Sequence, residues 1–281
     1  MNRFFKAIAL CLFGSLALCS SPKPIADQSV ASTEKLNLEI TYIANEGVMI
    51  SSGGKQVLID GLHREYKPDY AFPPPALLKS LEAASPPYDK LNLILVSHIH
   101  LDHFHPQSVG LHLANNPGAV LVSSDQVADG VKKEFADFQK IESRVIRSTP
   151  QWKAKAVHEV AGLRLSVLGL RHGSQHFSWI HNLGYLLEID GKKLLHIGDA
   201  DLTEENFRSF RLDQERIDVA FIPYWYLLSS GGRSIVRDLI KPRRILAVHI
   251  SPAEAIQVTE QLKSVVPEAI PLTGILETKN F

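Results

Sequence analysis

The chain has 281 residues, 45% hydrophobic and 21% charged, which suits one large domain or two small ones. Lysine plus arginine equals aspartate plus glutamate at 30 each, and no basic stripe stands out. That balance argues against nucleic acid or an anionic membrane surface as a partner.

The first residues differ in kind from the rest. MNRFFK carries Arg3 and Lys6, and the apolar run AIALCLFGSLALCS follows. A short basic start, an apolar centre and small residues at the end describe a secretory signal peptide over residues 1–20. The run is short for a bilayer span. Residues 21–34, polar and proline-containing, are expected to be a flexible leader, and 35–281 the folded domain. Cleavage is expected after Cys19 or Ser20, giving a periplasmic or secreted protein with no transmembrane span after cleavage. Leu16-Ala17-Leu18-Cys19 also resembles a lipoprotein box, but Leu18 stands where a small residue is expected, so anchoring at Cys19 is the less favoured reading. Removing residues 1–20 leaves 28 basic against 30 acidic residues, a net charge near −2. Both cysteines, Cys11 and Cys19, leave with the signal, so no disulfide and no thiolate ligand is expected in the mature chain.

From Lys35, the segments KLNLEITYI, GVMISS and KQVLIDG read as three antiparallel strands, with Asn45-Glu46-Gly47 and Gly53-Gly54 as turns. Residues 62–90 are rich in proline and aromatics and hold one short helix at ALLKSLEA. A strand ending at Ser97, a helix at QSVGLHLANN, a strand at AVLVSS, a helix at QVADGVKKEFADF and a strand at SRVIRS follow. The second half opens with strands at WKAKAVHEV, LRLSVLGL, LGYLLEID and KKLLHIGD. A helix over 203–211, a strand at IDVAFIP, a helix at GGRSIVRDLI, a strand at RRILAVHI and a helix at PAEAIQVTEQLKSVV complete the pattern. Two sheets face to face with helices outside would bury both sets of apolar strands, an α/β architecture.

The stretch LNLILVSHIHLDHFHPQSV runs a strand straight into metal-ligand side chains. His98, His100, Asp102 and His103 form H-x-H-x-D-H, and imidazole and carboxylate suit zinc and similar ions. Four ligands in six residues are too many for one tetrahedral ion, and suit two adjacent ions. Further ligands are expected at other strand ends. Asp199 follows Gly198, which allows close backbone approach, and its carboxylate can bridge two ions. His249 ends RRILAVHI. For the remaining position RHGSQHFSWIHNLGY offers His172, His176 and His181, of which His172 leaves a strand directly. His105, His112 and His158 read as surface or satisfied structural residues, and His196 as either packed or standing behind the ligands. His63 lies in a loop that can reach the cleft, and Asp60 reads as a buttress of the ligand loop.

H-x-H-x-D-H, a strand-end histidine, G-D and a final strand-end histidine together resemble the metallo-β-lactamase superfamily, with order and spacing spanning residues 37–252. The resemblance implies a four-layer αββα sandwich. It implies His98, His100 and His172 on one ion, Asp102, His103 and His249 on a second, and Asp199 bridging. HNLGYLLE followed by LLHIGDAD is most similar to the branch holding ascorbate-phosphate lactonases and the phospholipase D acting on N-acylethanolamine lipids.

The implied activity is a metal-dependent hydrolase with two zinc ions per chain. A bridging hydroxide, with Asp102 and Asp199 as catalytic carboxylates, would cleave an ester, lactone or phosphodiester of a small-molecule or lipid-like substrate. No cysteine ligand is available, and the stretch from Asp199 to His249 is too short for the inserted domain of the nucleic-acid-processing branch. Two alternatives remain: a mononuclear iron enzyme oxygenating a sulfur substrate in the same fold, and a non-catalytic metal-binding protein. Tyr66, Tyr70 and Phe72 in one loop, and Tyr224, Trp225 and Tyr226 in another, either wall an apolar pocket or pack inward.

Overall fold

A computed structural model describes residues 38–173 and 175–281. The expected signal peptide and leader lie outside the described residues.

Strands without polar alternation need cover on both faces, and each sheet receives it. The first half contributes β1 (Glu39–Ala44), β2 (Gly47–Ser52), β3 (Lys55–Ile59), α1 (Pro75–Glu82), β4 (Leu93–Val96), α2 (Pro106–Asn115), β5 (Val120–Ser123), α3 (Asp125–Glu134) and β6 (Val145–Arg147). The second contributes β7 (Lys155–Val160), β8 (Leu163–Arg171), β9 (His181–Ile189), β10 (Lys192–His196), β11 (Val219–Pro223), α4 (Tyr224–Leu228), α5 (Ser230–Ser234), β12 (Ile245–Val248), α6 (Ala255–Val265), β13 (Ala269–Pro271) and β14 (Thr278–Asn280).

One seven-stranded sheet has the order β14-β1-β2-β3-β4-β5-β6 and the other β13-β12-β11-β10-β9-β8-β7. The meander β1–β3 is antiparallel, as expected, and β3 to β6 run parallel. The second sheet repeats this plan, antiparallel through β10 and parallel from β10 to β13.

Alternate residues of each central strand point into different cores. In β4, Leu93 and Leu95 join the core between the sheets, while Ile94 and Val96 join the core under α1–α3. In β11, Val219 and Phe221 face the other sheet, while Ala220 and Ile222 face the helices of the second half. Three apolar interfaces among the described residues therefore define four layers, the expected αββα sandwich. Each fully buried Leu, Ile or Val contributes about 1.5–3 kcal/mol, which lets the fold carry buried polar groups at one edge.

Three local expectations are corrected. Residues 203–211 form two 3-10 turns, Glu204–Asn206 and Arg208–Phe210, rather than one α-helix. The three-residue period places Phe207 and Phe210 together in the core, while Asn206 bonds Arg171 and Asp201. Tyr224–Leu228, expected as a loop, is α4. The short strands β13 and β14 were not expected; β14 pairs with β1 and closes the first sheet.

A candidate metal centre at the strand ends

Side chains of the predicted cluster leave the C-terminal ends of strands and meet at one edge of the sandwich. His98 follows β4, His172 follows β8, Asp199 follows β10 and His249 follows β12. Open α/β sheets place ligands at the carboxyl ends of parallel strands.

Inter-sheet bonds fix this edge. Leu183 N donates to Ser97 O (2.9 Å) and His249 N donates to Asn45 O (3.0 Å). The Tyr185 hydroxyl on β9 donates to Val96 O at the end of β4 (2.6 Å).

Two donor sets result. His98 Nε2 lies 3.0 Å from His100 Nδ1, and His172 Nε2 lies 3.2 Å from the same atom. Asp199 Oδ2 completes this set at 3.9 Å from His98 Nε2 and 3.6 Å from His172 Nε2. In the second set, Asp102 Oδ2 lies 3.3 Å from His249 Nε2 and 3.5 Å from His103 Nε2. Asp199 Oδ1 lies 3.5 Å from each of those nitrogens. A tetrahedral zinc with bonds of 2.0–2.1 Å has ligand–ligand edges of about 3.4 Å. The edges of both sets lie around that value, and Asp199 offers one oxygen to each.

The far ring nitrogens select the tautomers. Ser97 Oγ donates to Asp60 Oδ2 (2.5 Å) and accepts from His98 Nδ1 (2.9 Å). His103 Nδ1 donates to Asp60 Oδ2 (2.9 Å), and His172 Nδ1 donates to Gly173 O (2.7 Å). Each bond uses the proton on Nδ1 and leaves the Nε2 lone pair facing the cluster. Asp60 is thus the buttress expected from sequence. Asp60 Oδ1 also accepts from Ser97 N (2.7 Å).

Asn45 holds the Asp102 carboxylate, and Asn182 holds the backbone at Asp199. Asn45 Nδ2 donates to Asp102 Oδ2 (3.0 Å) and to Asp102 O (3.1 Å). Asn182 Oδ1 accepts from Asp199 N (3.1 Å), and its Nδ2 donates to Ile197 O (3.0 Å). Gly198 has φ +53°, and a Cβ there would stand 2.5 Å from Asn182 Oδ1 and 2.8 Å from Ser97 Cβ. Glycine is therefore required on both conformational and steric grounds.

Burial lowers the His103 pKa, but Asp199, Asp102 and Asp60 outweigh it and hold the group well above the ordinary imidazole value, so a bound cation would take the place of its second proton. Burial, reinforced by the neighbouring histidines, holds His98 well below the ordinary imidazole pKa and lowers that of His100. Burial raises the Asp102 carboxyl, but His103 and His249 outweigh it and hold the group below its ordinary range. Asp199 Oδ1 and His249 Nε2 are buried without a hydrogen-bond partner. Buried polar atoms left without a hydrogen bond are costly, so a carboxylate oxygen and an imidazole nitrogen facing the same point fit a bound cation.

The structure brings all seven predicted residues together: His98, His100, Asp102, His103, His172, Asp199 and His249. His176 and His181 are exposed; the first packs on Phe177, and the second opens β9 with its N–H bonded to Gln126 Oε1 (2.8 Å). His105 caps α2 by accepting from Ser108 N, His112 bonds Leu81 O, and His158 bonds Ser148 Oγ. His196 is packed, donating to Glu46 O (3.1 Å) and accepting from Gly198 N (3.2 Å). His63 is fully buried and neither ring nitrogen has a hydrogen-bond partner.

Asn45 and Glu46 went unrecognised as site residues. Glu46 is fully buried near Asp60 and His103, and burial, with the Asp199 charge behind it, pushes its carboxyl well above the ordinary value. The available signal was a glutamate in a turn flanked directly by Tyr42-Ile43-Ala44 and Val48-Met49-Ile50.

The surroundings of the cluster are uneven. Tyr70 and Trp225 both meet the His249 ring edge-on, at 5.5 and 4.9 Å between centroids. Phe177 packs on His100 and His172 at 4.9 and 5.1 Å. Beside His172 lies a cavity of about 510 Å³ lined by Arg171, Gln175, Ser178 and Asp201. Tyr226 points inward instead, donating to Ala200 O (2.8 Å) and Asp201 O (2.9 Å).

Comparison with known proteins agrees with this fold. A metal-dependent hydrolase of Thermococcus kodakarensis is 25% identical over 221 residues, covering 75% of this chain and 84% of its own. The structure of Igni18, a metallo hydrolase from Ignicoccus hospitalis, superposes with a TM-score of 0.55 at 17% identity, covering 87% of this chain and 98% of its own. The metallo-beta-lactamase fold protein YhfI from Bacillus subtilis gives 0.56 at 14% identity, covering 88% and 100%. The family profile described as the Beta-lactamase superfamily domain matches residues 57–272, so with this fold the chain belongs to the beta-lactamase superfamily.

Proposed function

We propose that this protein is a metal-dependent hydrolase with a binuclear zinc site. His98, His100 and His172 would hold one ion, Asp102, His103 and His249 would hold the other, and Asp199 would offer one oxygen to each. The observation that carries the reading is the division of Asp199, with Oδ2 facing the first donor set and Oδ1 the second. Imidazole nitrogens and carboxylates without thiolate favour zinc among the common candidates. Two bound cations supply a water acidic enough to ionise near neutral pH and a Lewis acid for the substrate oxygen.

The chain's own groups do the rest. Asp102, held through Oδ2 by Asn45, keeps its other oxygen to accept the proton of the attacking water. It then returns that proton to the leaving-group oxygen as the bond to that oxygen breaks. Asp60 and Ser97 keep His98 and His103 in the tautomers that present Nε2. The substrate is a small or lipid-like ester, lactone or phosphodiester, and the signal expected at residues 1–20 exports the enzyme to meet it.

Elemental analysis of the purified protein tests the reading, with two zinc ions per chain expected. Asp199→Ala should lose metal and at least a hundredfold in hydrolysis, since even residues behind a metal ligand cost 10–100-fold. Iron in place of zinc, with oxygen consumed on a sulfur substrate, would favour the oxygenase alternative. A protein isolated without any transition metal would defeat the proposal.

A further inference from the structure

We infer that the aromatic collar on the His249 side selects an uncharged ester or lactone with an apolar acyl group, its polar leaving group lying on the His172 side. The inference rests on the hydrolase reading and goes beyond it in naming the substrate class.

The collar is assembled from both halves of the chain. Tyr70, in the loop between β3 and α1, meets His249 with its ring at 86° to the imidazole. Trp225, on α4, meets the same imidazole at 73°. Each arm is two rings deep. Tyr66 stacks on Tyr70 at 6.1 Å and 10°, and Tyr224 packs on Trp225 at 5.6 Å. The outermost ring, Tyr66, is 43% exposed. Exposed aromatic surface leading inward to a site of chemistry marks a binding face.

Charge on the collar is mixed and mostly acidic. Lys67 lies over the Tyr66 ring at 4.9 Å, and Glu254 accepts from the Tyr224 hydroxyl at 3.4 Å. With Lys67 engaged by the Tyr66 ring and the carboxylates of Glu65, Asp69 and Glu254 around it, the collar offers no cationic clamp for an anionic phosphodiester. The His172 side is the reverse. Its cavity is lined by Arg171, Gln175, Ser178 and Asp201, which suit a hydroxylated or otherwise polar leaving group. A substrate laid across the cluster would meet rings at its acyl end and hydrogen-bonding groups at the other.

Two measurements on the metal-loaded protein test this. In the first, p-nitrophenyl acetate, butyrate and hexanoate are compared with bis(p-nitrophenyl) phosphate. The expected result is a kcat/KM rising about two- to fourfold per added methylene, with the phosphodiester the poorest substrate. The rise should flatten in Trp225→Ala and in Tyr70→Ala. The second variant matters because Trp225 also packs on the core beneath α4, whereas Tyr70 stands on a surface loop. In the second measurement, calorimetry compares N-phenylhexanamide with N-phenylacetamide. The longer amide should bind at least tenfold more tightly, a gap that narrows in both variants. A flat ester series, a preference for the phosphodiester, or equal amide affinities would overturn the collar assignment while leaving the hydrolase reading intact. Tenfold amide discrimination without turnover of any ester would support the collar and overturn the hydrolase reading instead.

Discussion

Asn45 grips Asp102 twice, its Nδ2 donating to the carboxylate oxygen at 3.0 Å and to the carbonyl at 3.1 Å, while its own carbonyl accepts from His249 N at 3.0 Å. One turn residue therefore fixes two members of the second donor set, contributed by opposite halves of the chain. Its left-handed backbone, φ +53°, makes this reach possible. Removing the amide in Asn45→Ala frees the Asp102 carboxylate to rotate away. The expected result is a ten- to hundredfold weaker second ion, with the first retained. Titration against a competing chelator would reveal the change as two separated binding steps. Equal weakening of both ions would mean that Asn45 acts on the fold rather than on Asp102.

The third nitrogen of the first donor set is open to a direct comparison. His172 Nε2 stands 3.2 Å from His100 Nδ1, whereas His181 is exposed at the start of β9. His172→Ala should leave the protein folded and short of one ion per chain. His181→Ala should keep both ions, because its anchoring bond to Gln126 is made by the backbone N–H. Metal content by elemental analysis, with circular dichroism as a folding control, distinguishes the two. Loss of an ion from His181→Ala would move the ligand assignment.

These contrasts explain what could be read from sequence. Strands such as LILV and VAFIP were legible because a strand covered on both faces is continuously apolar. The cluster was legible because histidine and aspartate have no packing reason to follow such strands. Asn45 and Glu46 were not, since a short polar turn between hairpin strands looks the same whether it faces water or a buried carboxylate. The helix expected over 203–211 failed because burial of Phe207 and Phe210 selects a three-residue period. Tyr226 could not be told from Trp225 by type. Their adjacent places on α4 turn one into the core and the other toward His249.

Gly198 connects backbone strain to the carboxylate shared by the two donor sets. It precedes Asp199, adopts φ +53°, and leaves no room for a methyl group against Asn182 Oδ1 and Ser97 Cβ. Gly198→Ala should cost about 1–3 kcal/mol from the left-handed backbone and the overpacking together. It should also displace Asn182 from the Asp199 N–H, so that metal content falls along with the melting temperature. An unchanged melting temperature and full metal content would show that the β10 end can shift without cost.

His63 gives the fold a pH dependence of its own. It is fully buried, neither ring nitrogen has a hydrogen-bond partner, and burial, with the nearby His103, pushes its pKa down to about 4 from an ordinary 6.5. The unfolded chain therefore takes up a proton as pH falls through 6.5, while the folded chain resists until about 4. Between those values the unfolded state binds more protons, so stability is present above pH 6.5 and declines as the solution is acidified. At pH 5 the loss from this one group is on the order of 2 kcal/mol. Replacing it by an uncharged side chain in His63→Gln should shift the whole stability curve but flatten its acid limb. Denaturant melts at pH 7 and pH 5, in the presence and absence of a chelator, separate this effect from acid release of bound metal. Parallel curves for the two proteins would show that His63 takes up its proton equally in the folded and unfolded states and carries none of the pH dependence.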